Sequence, residues 1–247
     1  MIVTLFKFIA AHLIGDFIFQ TDRPAKIKFT AKMPERLRLL GLHSLIQAGL
    51  TYLFIAQWSL WIVPVVIFVT HFAIDFVKIE IGKRGKRGLI AFLVDQCAHY
   101  VVILLLWWLL FVKGGYNVGL PKLSQTVWIC LTAYIAVLVP TSVFIKLLLE
   151  YKKWMPCDTS MQGMPDAGRW IGYLERILIL SFIFSNHIEG IGFLLAAKSI
   201  FRFGELRRSK DVKVTEYVLI GTFLSFTAAI LIGFGAEWLI DFNKELL

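Results

Sequence analysis

Apolar residues in this chain do not alternate with polar ones; they run on in long stretches. Mostly apolar runs lie near 2–20, 39–57, 59–78, 89–112, 126–149 and 216–240, with two shorter ones near 168–186 and 189–204. A transmembrane helix needs about 20 such residues, within a range of about 17–25. The pattern predicts an all-α, polytopic transmembrane helical bundle of about eight spans. Six spans plus a re-entrant hairpin is the alternative, because Ser185-Asn186-His187 divides the two shorter runs. The first run contains His12 and Asp16, and is too long and too polar inside for a cleaved signal peptide.

Composition agrees with this pattern. Of 247 residues, 58% are hydrophobic and 17% charged, with a mean hydropathy of +0.73. An ordinary soluble domain is about 45–50% apolar and about 25% charged. A soluble globular enzyme, a disordered chain and a secreted disulfide scaffold are all excluded. Cys97, Cys130 and Cys157 have no paired spacing, so no disulfide or thiolate–zinc framework is expected. The whole of 1–247 reads as one integral membrane domain, with a four-helix part over 1–112 and a second over 126–247.

The net charge of +9 has a definite distribution. Twenty-one of the 26 basic residues fall on or bracket alternate connections: residues 21–38, 78–88, the loop after the fifth run, and the stretch before the last. The positive-inside rule then puts both termini outside and these four connections in the cytoplasm. Trp58, Trp61, Trp107, Trp108, Trp128 and Trp238 would all lie near the outer interface, as an aromatic belt does. The basic runs therefore set topology and touch anionic lipid. No aromatic residues are interleaved in Lys83-Arg84-Gly85-Lys86-Arg87 to stack bases, so no nucleic-acid partner is expected.

The candidate chemistry lies inside the spans. The first contains His12-x3-Asp16, the second His43-x3-Gln47, the third His71-x3-Asp75 followed by Lys78, and the fourth Asp95-x3-His99. Residues four apart stand one turn above each other on a helix, so each set forms one stripe. At about 1.5 Å per residue, all four stripes fall within roughly 5–15 Å of the cytoplasmic helix ends. Helices running in opposite directions thus bring the stripes to one level. An aspartate at a helix centre costs about 2.5–3.5 kcal/mol on the insertion scale, and such groups face the bundle interior.

Imidazole and carboxylate are ligands for zinc and related divalent ions. His12, Asp16, His43, His71, Asp75, Asp95 and His99 are candidate ligands for one or two ions, with Asp16, Asp75 and Asp95 also candidate catalytic carboxylates. Two other readings stay open: a proton or ion pathway, and a hydrogen-bonded network that locks the helices together. In the second half, Glu175 and Lys198 are expected deep in their spans, with Arg202 one turn after Lys198. They either pair with one another or hold an anionic group of a substrate. His187 is expected to be solvated, and Cys97 to face away from the stripes.

The runs His12-Leu-Ile-Gly-Asp-Phe-Ile-Phe-Gln20, Thr70-His-Phe-Ala-Ile-Asp75-Phe-Val-Lys78 and Asp95-Gln-Cys-Ala-His99 carry a resemblance over nearly the whole chain. Gly168-Arg-Trp-Ile-Gly-Tyr-Leu-Glu-Arg176 and Gly192-Phe-Leu-Leu-Ala-Ala-Lys-Ser199 extend it. The chain resembles a bacterial family of multi-span membrane proteins catalogued as domain of unknown function 3307. This implies a multi-pass protein of the bacterial cytoplasmic membrane and supplies no activity. The His/Asp style is also similar to that of membrane-bound metal-dependent hydrolases. Two functional expectations follow: a cytoplasm-facing, metal-dependent hydrolase of a lipid or amphipathic substrate, or a transporter of protons or divalent ions. A non-catalytic scaffold is the third.

Overall fold

The computed structural model describes residues 2–20, 32–83, 88–116, 123–155, 166–206 and 212–245, with the side chains of 83, 201–206, 212 and 243–245 left aside. Among the described residues the only regular secondary structure is helix. The helices are α1 (Ile2–Phe19), α2 (Met33–Ile55), α3 (Ile62–Lys83), α4 (Leu89–Lys113), α5 (Gln125–Tyr151), α6 (Ala167–Phe184), α7 (Glu189–Leu206) and α8 (Val212–Glu245). Six of these, α1 to α5 and α8, are long and apolar enough to cross a membrane. The shorter α6 and α7 pack against each other as a hairpin through the turn at Ser185–Asn186, where Asn186 is left-handed at φ 59°.

Two helices extend beyond their apolar runs. α2 starts at Met33 instead of near 39, and α3 continues to Lys83 instead of ending near 78. Pro34 in the first turn of α2 fits the helix start, where its missing N–H is not needed. Arg36 on α2 and Glu80 on α3 then pair at 3.2 Å beyond the apolar stretch. Arg23, Lys26, Lys28, Arg84, Lys86, Arg87, Lys122, Arg207, Arg208 and Lys210 lie outside the described residues, as does Cys157.

The chain falls into two compact units, Met1–Thr132 and Ala133–Leu247, with the boundary inside α5. In the first unit α1 packs on α2 and α4, α2 on α3, and α3 on α4, so the four helices close into a ring. One half of that ring is apolar. Phe8, Ile55, Val63, Ile103, Leu106 and Phe111 share a core with Ala48, Leu60 and Ile67. Phe8 and Phe111 meet edge to face at 6.2 Å. Lys7 is buried beside this core, with Nζ 5.5 Å from the centre of the Trp128 ring. Trp58 and Trp61 are exposed at the α2–α3 turn, as a belt residue should be, whereas Trp128 is buried in the core.

In the second unit α8 packs on α6 and on the second half of α5. α5 is broken at Leu138, which divides it into Gln125–Val137 and Val139–Tyr151. Pro140 causes the break, because it has no N–H for the Ala136 carbonyl. The Thr141 hydroxyl donates to that carbonyl instead, at 2.8 Å. Arg176 supplies the next two carbonyls: Nε donates to Val137 O and Nη2 to Leu138 O at 3.4 Å. Its Nη1 donates to Ser225 Oγ at 2.7 Å, and Nη2 also to Ser142 Oγ at 2.6 Å. Irregular backbone survives at membrane depth only where such partners satisfy it.

Candidate metal centre

The other half of the first unit's ring is polar. His12, His43, His71, Asp75, Asp95 and His99 are all buried, and the Asp16 carboxylate is only 7% exposed. The helical period explains their convergence: each i, i+4 pair lies on one stripe, and in a closed ring of four helices those stripes point inward.

Three ligand atoms form a tight triangle. His43 Nε2 is 3.0 Å from His71 Nε2 and 3.2 Å from Asp16 Oδ1, and His71 Nε2 is 3.3 Å from the same oxygen. With Asp16 ionised, protons alone leave one of these three contacts unsatisfied. The carboxylate oxygen only accepts, and each imidazole Nε2 presents either one proton or one lone pair. If both nitrogens donate to Asp16, two N–H groups face each other. If one donates to the other, the acceptor's lone pair faces the carboxylate. A cation among them removes the conflict. Two ligands about 2.05 Å from one tetrahedral ion stand about 3.3 Å apart, close to all three sides.

Two glutamines position this triangle. Gln47 Nε2 donates to Asp16 Oδ1 at 2.5 Å and to the His12 carbonyl at 3.1 Å. It reaches them where α1 widens into a π-helical turn over Gly15–Phe19. A Cβ at Gly15 would fall on the Gln47 amide, so glycine is what admits it. Gln96 Nε2 donates to Asp16 Oδ2 and Asp95 Oδ2, both at 3.2 Å, while its Oε1 lies 3.3 Å from His12 Nε2.

A looser lobe adjoins the triangle. The His99 ring stacks on that of His71 at 4.0 Å. His99 Nε2 is 3.6 Å from Asp95 Oδ1 and 4.0 Å from Asp75 Oδ1. Neither His99 Nε2 nor Asp95 Oδ1, both buried, has a hydrogen-bond partner among the described residues. Asp75 bridges the lobes, with Oδ2 3.7 Å from His43 Nε2. Lys78 closes the lobe, 2.6 Å from Asp95 Oδ2 and 3.9 Å from Asp75 Oδ1. His12–His71–His99, Asp16–His43–His71 and Asp16–Asp95–His99 are each close enough to hold an ion.

All seven candidate ligands are therefore brought together. The second-unit candidates behave differently. Glu175 is buried and its Oε2 takes the Lys198 ammonium at 2.6 Å, the pairing that was one of the two expected roles. The side chain of Arg202 lies outside the described residues. His187 is exposed in the α6–α7 turn, and Cys97 is exposed on α4 away from the cluster. Sequence reasoning passed over Gln96, because it stands one residue from Asp95 and breaks the i, i+4 spacing. Lys78 and Gln47 were visible on their stripes, but neither is a metal ligand by type.

Comparison with curated proteins and with solved structures finds no match. The second-half motifs around Gly168–Arg176 and Gly192–Ser199 lie beyond the stretch that does match a family. Residues 4–120, which contain all seven candidate ligands, match the model of a family described as a protein of unknown function, DUF3307.

Proposed function

We propose that the first unit is a divalent-metal centre, zinc by its nitrogen and oxygen donors, and that the chain is a membrane-embedded metal-dependent hydrolase of a lipid or amphipathic substrate. The observation that carries this reading is the triangle of Asp16 Oδ1, His43 Nε2 and His71 Nε2, with sides of 3.0–3.3 Å. In this reading those three residues hold one ion. His99, Asp75 and Asp95 either hold a second or orient the first set. With the Gln96 amide as placed, His12 donates to it and acts as a positioning residue.

A bound divalent ion supplies Lewis acidity and a water activated near neutral pH. The chain's own groups supply the rest. Asp95 is held by Lys78 and Gln96 through Oδ2, which leaves Oδ1 to accept a proton. Lys78 stands ready to meet negative charge. The basic connections put the polar half of the ring toward the cytoplasm. A cavity of about 10 Å³ beside His12, Gln47, Thr51, Thr70 and His71 has room for about one water. Beyond it the apolar half of the ring closes the way, which favours a one-sided catalytic centre over a through-path.

Elemental analysis of the purified protein tests the centre. Stoichiometric metal is expected in the parent, and its loss in Asp16→Asn and His71→Ala variants. A metal-free parent would overturn the reading. Ion uptake into proteoliposomes without turnover of any lipid would replace the hydrolase with a transporter.

A further inference from the structure

The seam between α3 and α4 opens sideways. A groove of about 720 Å³ runs along it, within the range of about 300–1,000 Å³ typical of ligand sites. Ala73, Ala91 and Ala98 leave the space, and Ile74, Val77, Ile81, Ile90 and Val94 help to wall it. Val77, Ile90 and Val94 are each more than half exposed, as lipid-facing side chains are. Among the described lining residues only two are polar, Lys78 and Asp95. These are the two that close the metal centre. The groove and the centre therefore share a wall, and the Lys78–Asp95 ion pair is that wall.

We infer that this groove takes the acyl chain of an anionic membrane lipid, whose headgroup oxygen binds Lys78 at the edge of the centre. The inference rests on the metal reading above and names the substrate class for it. The lining argues for a hydrocarbon chain, since nothing along its length can hydrogen-bond one of higher polarity. The end of the groove argues for an anion. The Lys78 side chain is 32% exposed while that of Asp95 is 1% exposed, so the ammonium is the partner an arriving ligand meets first. The Lys78 ammonium has three N–H donors, so it can bind a phosphate or carboxylate oxygen while it keeps Asp95 Oδ2. A helix from a second copy would instead bury the ion pair against apolar side chains, at a desolvation cost. The sequence that joins α3 to α4 adds Arg84, Lys86 and Arg87, which favour anionic headgroups on that side of the bilayer.

Photolabelling of the full-length protein tests this. The protein is reconstituted in phosphatidylcholine vesicles doped with phosphatidylglycerol that carries a diazirine on its acyl chain. Labels are expected on residues 73–81 and 90–98, displaced about fivefold better by unlabelled phosphatidylglycerol than by phosphatidylcholine. Val94→Trp, which fills the groove, should remove the displaceable label. Lys78→Gln should keep the label and lose the preference between headgroups. Equal labelling in Val94→Trp, an unchanged preference in Lys78→Gln, or chain-to-chain crosslinks in place of lipid adducts would overturn the inference. Metal content of the same samples separates the two readings. Bound metal with no groove labelling overturns the groove alone. Groove labelling with headgroup preference in a metal-free parent upholds the lipid site and overturns the centre beside it.

Discussion

Two sets of polar groups are buried among apolar helices in this chain, and they are built on opposite plans. In the second unit four acceptors converge on Arg176: two carbonyls beside a proline break and two serine hydroxyls. In the first unit Asp16, His43 and His71 crowd together with a contact left unsatisfied while Asp16 is ionised. Buried polar groups are ordinarily hydrogen-bonded, and a fully satisfied network rigidifies a core. A cluster that remains in conflict while its neighbours are held by glutamines calls for a further partner. On the proposed reading, satisfaction more than burial or charge separates a structural polar group from a functional one.

That contrast can be broken in several places. The largest effect is expected at the triangle. His71→Ala and Asp16→Asn should each weaken metal binding by more than the roughly 10–100-fold lost when a ligand's supporting hydrogen bond is removed. Competition with a chelator reads this directly. Acidification should empty the parent centre as well, because imidazole binds metal only in its neutral form and protons compete for it. Metal content that stays constant as pH is lowered past the imidazole range would count against histidine ligation.

Next comes Arg176→Ala, which should lower stability by about 2–3 kcal/mol, since each buried polar group left unsatisfied costs about 1–3 kcal/mol. Thermal unfolding in detergent measures it, and metal content should not change. A loss of metal in that variant would erase the distinction between the two plans. Gly15→Ala is expected to weaken metal binding by about tenfold, because its methyl group pushes Gln47 off Asp16. Replacing Gln47 with leucine should reproduce this in a chain that keeps Gly15. Smaller than Arg176→Ala is Lys198→Met. The lysine side is partly exposed, but the change leaves the buried Glu175 carboxylate without its partner, so it should cost about 1–2 kcal/mol in the same melt.

Much of the site was legible before any coordinates, because the helical period turns i, i+4 spacing into a stripe. His12 and Asp16, His71 and Asp75, and Asp95 and His99 are readable this way, and a closed ring of helices has only one inside. Other parts were hidden for physical reasons. Gln96 reaches the cluster from a position adjacent to Asp95, since the inner face of a helix is wider than one stripe. The π-helical turn at Gly15–Phe19 depends on a contact with another helix, which local sequence does not encode. Pro140 signals a break, but its repair by Arg176 requires knowing that α6 lies alongside. The start of α2 and the end of α3 lie beyond the apolar runs because hydropathy marks where lipid ends and helices continue past it.

The division of the ring into a polar and an apolar half has an electrical consequence. A voltage across the bilayer falls mainly over the medium of lowest polarisability, here the layer of Phe8, Ile55, Val63, Ile103, Leu106 and Phe111. Carrying one elementary charge through the whole drop is worth about 2.3 kcal/mol per 100 mV. An ion that arrives from the polar side stops short of that layer and is spared most of this work. Occupancy of the centre in sealed vesicles should therefore stay nearly constant when a diffusion potential is imposed, whichever its sign. A site halfway along a conducting path would respond steeply.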